Sequence, residues 1–335
     1  MSRRFNQRTP QWLMGMLAGI CIGIFCPDVH AEDDRTLKDF ASIRRQHAQA
    51  AFEAVAAYLN EHPDADDAVE SYRFLFETAL DFDLAREAKG HAEQFLTDHP
   101  EASVGDRSQA RRLAMLALAL EGEADAAIEV FGAELTAIRR LDPSAAIGTA
   151  TALAAAVQRG NRPEAARQVY ERLRRAFLLN AGVEAIVENR LARLELLGKP
   201  APSVELPDLN GRHAAADNLT GRIVLIDFWA TNCPPCLAEL PQLRRLHADH
   251  EEQDFEIIAI SLDEEEETVR DYLDRTKLTW RVCLSAADDH ATREAYRVET
   301  IPANFLVGAD GTIVRVDLHG ADLRAEVERL LKDER

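Results

Sequence analysis

The chain has 335 residues, a length that suggests about two domains. With 47% hydrophobic residues and only 16 Gly and 13 Pro it can bury a sizeable core, which excludes a collagen-like or wholly disordered chain. Its 39 Lys and Arg stand against 58 Asp and Glu, and a formal charge of -19 argues against nucleic acid as a partner.

The N-terminal stretch reads as an address. Arg3, Arg4 and Arg8 precede an uncharged run over residues 12–25. That run falls short of the ~20 residues of a membrane span and suits the apolar core of a signal peptide. Val29-His30-Ala31 then supplies small residues for cleavage. Residues 1–31 are expected to be a signal peptide, with an uncleaved N-terminal anchor as the alternative. Either would make the protein exported, periplasmic or anchored facing the periplasm, where thiols can be oxidised. Of the five cysteines, Cys233, Cys236 and Cys283 follow this segment.

Residues 34–197 carry no strand signal. Apolar residues recur at helical spacing, and Ala50, Ala51, Ala54, Val55, Tyr58 and Leu59 are expected to form one stripe. Alanine favours helices because it loses no side-chain entropy there. Helix stops are expected at His62-Pro63, His99-Pro100, Gly122, Asp142-Pro143 and Gly160-Asn161. Two segments recur. Tyr58-Leu59-Asn60-Glu61-His62-Pro63 echoes Phe95-Leu96-Thr97-Asp98-His99-Pro100, and the run from Glu123 to Phe131 echoes that from Pro163 to Tyr170. The spacing is close to that of tetratricopeptide-type helical hairpins of about 34 residues. The segment 32–198 is therefore expected to be an all-α, tetratricopeptide-like domain of about four helix pairs. An ordinary alanine-rich bundle is the alternative. A solenoid would offer a concave face to a peptide or another protein. Lys199-Pro200-Ala201-Pro202 ends the helices and reads as a linker.

The texture then changes, and residues 199–335 are expected to form an α/β domain. Residues 223–228 and 255–261 are apolar, β-branched runs of the kind that form buried strands. Helical stretches at about 235–250 and 265–276 alternate with them, implying a parallel strand–helix–strand unit. Two later strands, 303–307 and 312–316, flank Asp310-Gly311, a hairpin turn. A helix over about 321–333 closes the chain.

Between the first strand and its helix lies Cys233-Pro234-Pro235-Cys236. A Cys-x-x-Cys at such a junction is a redox signal. Cys233 would sit at a helix N-terminus, where unpaired N–H groups and the macrodipole favour its thiolate. Cys236, one turn on, lies within disulfide reach. Cys233 can attack a partner disulfide and Cys236 can resolve the mixed disulfide. Pro234 and Pro235 fit the first helical turn, where a missing N–H costs little. A structural disulfide is the competing reading. A zinc site would need more ligands than this spacing provides, the ten histidines show no metal-ligand spacing, and no cofactor-binding motif is evident.

The run from Ile226 to Cys236, with Glu239, Leu240 and Pro241 after it, resembles the thioredoxin superfamily, and within it the TlpA/ResA-like (redoxin, AhpC/TSA-type) thiol-disulfide oxidoreductases. Glu299-Thr300-Ile301-Pro302 is similar to that family's cis-proline loop, and Phe305-Leu306-Val307 with Asp310-Gly311 to the pattern that follows it. The likeness covers about 40% of the chain, residues 198–331. It implies a thioredoxin fold, Cys233 as nucleophile, Cys236 as resolving thiol, and a cis Pro302 whose loop backbone pairs with a bound polypeptide. It also implies a buried Asp227 that takes the proton from Cys236. Without the family, Asp227 is as readily a cap as a base. Glu239 is expected to be structural or a proton relay. Trp229 is expected beside the active site or simply in the core. Asn232 departs from the Trp common at its position. Ile301 before Pro302 is a mild vote for a reductase. Cys283 is read as a buried apolar residue rather than a second resolving thiol.

Three functions compete. The first is a thiol-disulfide oxidoreductase that reduces disulfides of exported proteins, fed by a thiol electron donor, with the helical domain recruiting a client or donor. The second is a thiol peroxidase, although Thr231 stands two residues before Cys233 rather than three. The third is a non-enzymatic adaptor with a vestigial redox domain.

Overall fold

The computed structural model describes residues 40–138, 143–211, 221–250, 252, 254–285 and 291–333. The expected signal segment 1–31 lies outside them. Among the described residues eight helices come first: α1 (Phe40–Glu61), α2 (Ala68–Phe82), α3 (Ala85–Asp98), α4 (Val104–Leu120), α5 (Ala124–Ile138), α6 (Pro143–Arg159), α7 (Ala165–Ala176) and α8 (Ala181–Leu194). Their ends have local causes. Ser103 Oγ accepts from the Asp106 N–H at the start of α4, and Asn180 Oδ1 accepts from the Val183 N–H at the start of α8; each satisfies an orphan first-turn donor. Asp83 takes the left-handed conformation that closes α2.

Small side chains set the helix spacing. Ala124, Ala127, Ile128 and Phe131 on α5, and Ala165, Ala166, Val169 and Tyr170 on α7, are all buried. The echo between these two segments is thus an echo of buried positions. At the end of α6, a Cβ on Gly160 would lie 1.9 Å from the Ala119 carbonyl oxygen of α4. Only glycine lets the two backbones approach so closely. The stripe expected on α1 is corrected. Ala50, Ala54 and Tyr58 are exposed, and the face turned to the core carries Phe52, Val55, Ala56 and Leu59. Three candidate alanines and one tyrosine suggested a stripe rotated from the one that Phe52 anchors. Small and amphipathic residues constrain the rotation of a helix weakly, whereas burying one phenylalanine decides it.

Backbone contacts divide the chain into residues 1–48 and 49–335. The second unit holds most of the helices and all of a five-stranded sheet. The strands are β1 (Ile223–Trp229), β2 (Phe255–Ser261), β3 (Arg281–Leu284), β4 (Ala303–Val307) and β5 (Ile313–Val316). They lie in the order β3-β2-β1-β4-β5, with β1, β2 and β3 parallel and β4 and β5 antiparallel to their neighbours. Every residue of β1 is buried, as its unbroken apolar run requires of a central strand. Helices α9 (Pro234–His250), α10 (Glu266–Thr276), α11 (Ala291–Ala295) and α12 (Gly320–Asp333) complete the fold. Asp310 caps the β4–β5 turn by accepting from Thr312 N and Oγ1, and Gly311 supplies the positive φ of 81°.

The segment after α8, expected to be a linker, straps the sheet. Gly198 N donates to Ile313 O, Ile313 N to Lys199 O and Ala201 N to Gly311 O, so residues 198–201 cover the free edge of β5. Val204 and Leu206 then bury on one face of the sheet. Leu209 N donates to Val282 O, and Asp208 bridges to Cys283, which covers the opposite edge at β3. Beyond the strap, Gln158 of α6 pairs with both backbone groups of Val316 on β5. Among the described residues no helix is long and apolar enough to cross a membrane.

Candidate active site

β1 delivers the site. After Trp229 the chain turns at Ala230, and α9 begins at Pro234. Cys233 is therefore the residue just before the helix. Its carbonyl accepts the first helical hydrogen bond from Leu237 N (3.0 Å), and its Sγ accepts from Cys236 N at 3.3 Å. A sulfur in that position stands at the positive end of the helix macrodipole, where a thiolate is favoured. Cys233 and Cys236 form a disulfide, with Cα atoms 5.3 Å apart. Both are mostly buried, whereas Pro234 and Pro235 are exposed. The prolines lie in the first turn, where a helix needs no N–H donor.

The loop before the helix is held from β2. Asp263, buried just past the strand, accepts from Thr231 N (3.0 Å), Thr231 Oγ1 (2.6 Å) and Ser261 Oγ (2.6 Å). Asp263 is not legible in the sequence, because a lone acidic residue after a strand carries no distinctive spacing.

The Ile301-Pro302 peptide bond is cis. Pro302 leads into β4, whose Ala303 pairs with Phe228 across the sheet. That register brings the loop beside the end of β1. Ile301 packs against the apolar cluster that contains Trp229, Cys233 and Cys236. Trp229 is 1% exposed, and its ring lies 5.4 Å from that of Tyr272, so it is both core and neighbour to the disulfide.

Asp227 is buried in the middle of the sheet, opposite Asn304. Burial pushes its carboxyl up to about 7; the charge of Glu239 adds to this and His319 acts the other way. Glu239 lies on α9, one turn beyond Cys236, and its carboxylate meets His319 Nδ1 at 2.8 Å. The segment carrying His319 is fixed by Asn304, whose amide pairs with both backbone groups of Leu318. Asp227, Glu239 and His319 thus form one electrostatic group between the central strand and α9. His319 carries no local signature, because its spacing suits no metal site and its partner Glu239 lies 80 residues away in sequence. Cys283 is fully buried on β3, and burial raises its thiol to about 12. Among the described residues no group of three or more His, Cys, Asp or Glu could hold a metal ion.

The helical half reaches this site. Asp317, just past β5, is buried between Arg190 and Arg193 of α8, at 2.7 and 3.0 Å. Burial alone would raise its carboxyl, but the two guanidinium charges outweigh this and hold it at about 2. These residues are more than a hundred positions apart in sequence, and no local pattern announced the pairing.

A helix-capping dithiol on a sheet of this order, with a cis-proline loop and a buried carboxyl on its central strand, defines a thioredoxin-fold thiol-disulfide oxidoreductase. The model of the AhpC/TSA family matches residues 197–316. The thiol-disulfide oxidoreductase ResA of Halalkalibacterium halodurans is 33% identical over 123 residues, which cover 37% of this chain and 69% of that protein. ResA of Bacillus subtilis is 30% identical over 136 residues, covering 41% of this chain and 70% of the relative. The solved thioredoxin domain of a thiol-disulfide oxidoreductase from Bacteroides vulgatus is 30% identical, with coverage of 40% and 97% and a TM-score of 0.38. A thiol:disulfide interchange protein from Bacteroides sp. is 31% identical, with coverage of 41% and 90% and a TM-score of 0.38. The chain belongs to the AhpC/TSA family, among the ResA-like thiol-disulfide oxidoreductases, and is an enzyme of that type.

Proposed function

We propose that this enzyme reduces disulfides of exported proteins through Cys233 and Cys236. The observation that carries the reading is the position of Cys233 as the cap of α9, with Cys236 one turn on and already bonded to it. In the reduced enzyme the Cys233 thiolate attacks a substrate disulfide. The substrate S–S bond breaks, a mixed disulfide forms and one substrate thiolate leaves. Cys236 then gives its proton to Asp227 and attacks Cys233 Sγ. The Cys233–Cys236 bond forms and the second substrate thiolate leaves, so two electrons have passed to the substrate. A thiol donor returns them. Burial of Asp227, with a carboxyl near 7, supports its role as the base, since such a group can accept a proton at neutral pH and release it again. Glu239 supports this transfer from the adjacent turn. Pro234 and Pro235 shape the helix start, Trp229 backs the disulfide, and Ile301 and Pro302 form the docking loop; Ile301 also favours reduction over oxidation.

The leader-like composition of residues 1–31 supports a periplasmic or membrane-anchored setting. We divide the remainder into a tetratricopeptide-like domain, 32–198, which recruits a client or donor, and a thioredoxin-like domain, 199–335. Thiol peroxidase chemistry gains no support, because the Thr231 hydroxyl is committed to Asp263.

The test is mechanism-based trapping. Cys236→Ser should accumulate a mixed disulfide between Cys233 and a protein substrate, and Cys233→Ser should trap none. Equal trapping by both variants would remove Cys233 from the nucleophile's role. Titration of the pair against glutathione fixes the direction: a potential near -120 mV, as in strong oxidants, would overturn the reductase reading, and one near about -270 mV would support it.

A further inference from the structure

Asn189 stands on α8, in the helical half, yet its side chain serves the loop that precedes β4. Its Oδ1 accepts from Thr300 N (3.2 Å) and Thr300 Oγ1 (2.8 Å), and also from Arg193 Nη1. Its Nδ2 donates to the Arg297 carbonyl at 2.8 Å. One amide, 3% exposed, thereby ties together both ends of the turn over residues 297–300. Arg297 holds a positive φ of 54°, a conformation that needs such support outside glycine. Arg193, fully buried, keeps Asn189 in place and is itself held by Asp317.

The next residue is Ile301. It is half-buried against the cluster that holds both cysteines. Among the described residues neither its N–H nor its C=O has a hydrogen-bond partner. A polypeptide whose disulfide reaches Cys233 must lie over this loop, and a short extended segment could pair with those backbone groups. A small disulfide can reach Cys233 without them.

We propose that α8 is a positioning element of the redox site. Asn189 fixes residues 300–302 in the shape that docks a protein disulfide, so the helical half sets reactivity toward polypeptides. This rests on the thiol–disulfide reading above and goes beyond it, because it makes the helical half part of the substrate site rather than a tether.

The experiment compares two substrates on the full-length reduced protein: insulin, and the small aromatic disulfide dithionitrobenzoate. Asn189→Leu keeps the volume of the side chain and removes its polar atoms. It should lower the second-order rate with insulin by about tenfold, the scale expected when a docking geometry loses its buried hydrogen bonds. The small-disulfide rate should fall by no more than about twofold. Thr300→Val leaves α8 untouched and removes only the hydroxyl donor. It should show the same asymmetry, weakened to about threefold. Thermal melts establish folding, and if Asn189→Leu does not fold, Thr300→Val decides alone. Equal falls for both substrates would overturn the proposal, because Asn189 would then act on the sulfurs or on stability. Unchanged insulin reduction in a folded variant would overturn it too. A wild-type protein that reduces neither disulfide would instead sink the underlying reading.

Discussion

Replacing Asp227 by Asn removes a buried carboxyl while keeping its size, and its effect on stability has a calculable pH dependence. Burial lifts this group from the ordinary 3.8 to about 7 in the fold. A raised value means that the folded chain holds the proton more tightly than the unfolded one. The stabilisation this represents is complete below about pH 4 and is lost as the pH rises to about 7. Each pH unit in that window is worth about 1.4 kcal/mol, so the wild type forfeits about 4 kcal/mol across it. Asp227→Asn has no proton to lose. The two proteins, both oxidised so that Cys233 and Cys236 do not titrate, are unfolded in urea at pH 4 to 9. Trp229 and Trp280, both in the core around the sheet, report the transition by fluorescence. The variant should gain on the wild type by about 1.4 kcal/mol per unit from pH 4 to 7, with no further gain above. Groups remote from Asp227, Cys283 among them, titrate in both proteins and cancel in the difference. Parallel stability curves would show that Asp227 ionises as an ordinary surface carboxyl, and its assignment as the proton acceptor would fall with the burial argument.

In the reduced state, the same substitution should prolong the mixed disulfide with a protein substrate, seen as a longer-lived covalent complex on acid quenching. Gly160→Ala should drive its Cβ into the Ala119 carbonyl and lower stability by about 1–3 kcal/mol, read as a drop in melting temperature without loss of dithiol reactivity. Asp317→Ala leaves Arg190 and Arg193 buried without their carboxylate and should cost about 3–5 kcal/mol at pH 7. Because Asp317 is held at about 2, its contribution is present above the ordinary carboxylate value and disappears only as the pH falls toward 2. Alkylation of the native reduced protein should label Cys233 and Cys236 but spare Cys283, which becomes reactive only on unfolding; mass spectrometry of the peptides counts the labels.

The parts of the site that were legible from sequence are those built from neighbours along the chain. Cys233-Pro234-Pro235-Cys236 follows an apolar run directly, so strand, turn and helix start could be read together. Ile301-Pro302 and Asp310-Gly311 are likewise local, and both lie where expected. Residues that act across the fold left no such trace. Asn189 serves Thr300, Arg193 serves Asp317, and His319 serves Glu239 at sequence separations of 80 to 124. Periodicity reports which face of an element is apolar but not what a polar residue on that face will meet. Nothing in their spacing therefore distinguishes Asn189, Arg190 and Arg193 from ordinary polar helix residues, although Asn189 and Arg193 are buried. The segment after α8 misled for another reason. Prolines near residue 200 carry the composition of a free connector, yet non-proline N–H groups on either side reach the sheet edge.

That strap has a consequence for how the molecule can be cut. An open strand edge invites another chain to pair with it, and native proteins guard against this. Here the guard for both outer strands is one short stretch of backbone, residues 198–209, with Gln158 completing one side. A fragment beginning after residue 210 would keep every cysteine of the redox centre and still uncover both margins of its sheet. It should self-associate in solution where a fragment retaining residue 198 would do so far less. A recombinant boundary chosen from the position of the first strand alone would thus yield aggregate, and the loss of activity would be misread as a fault in the dithiol.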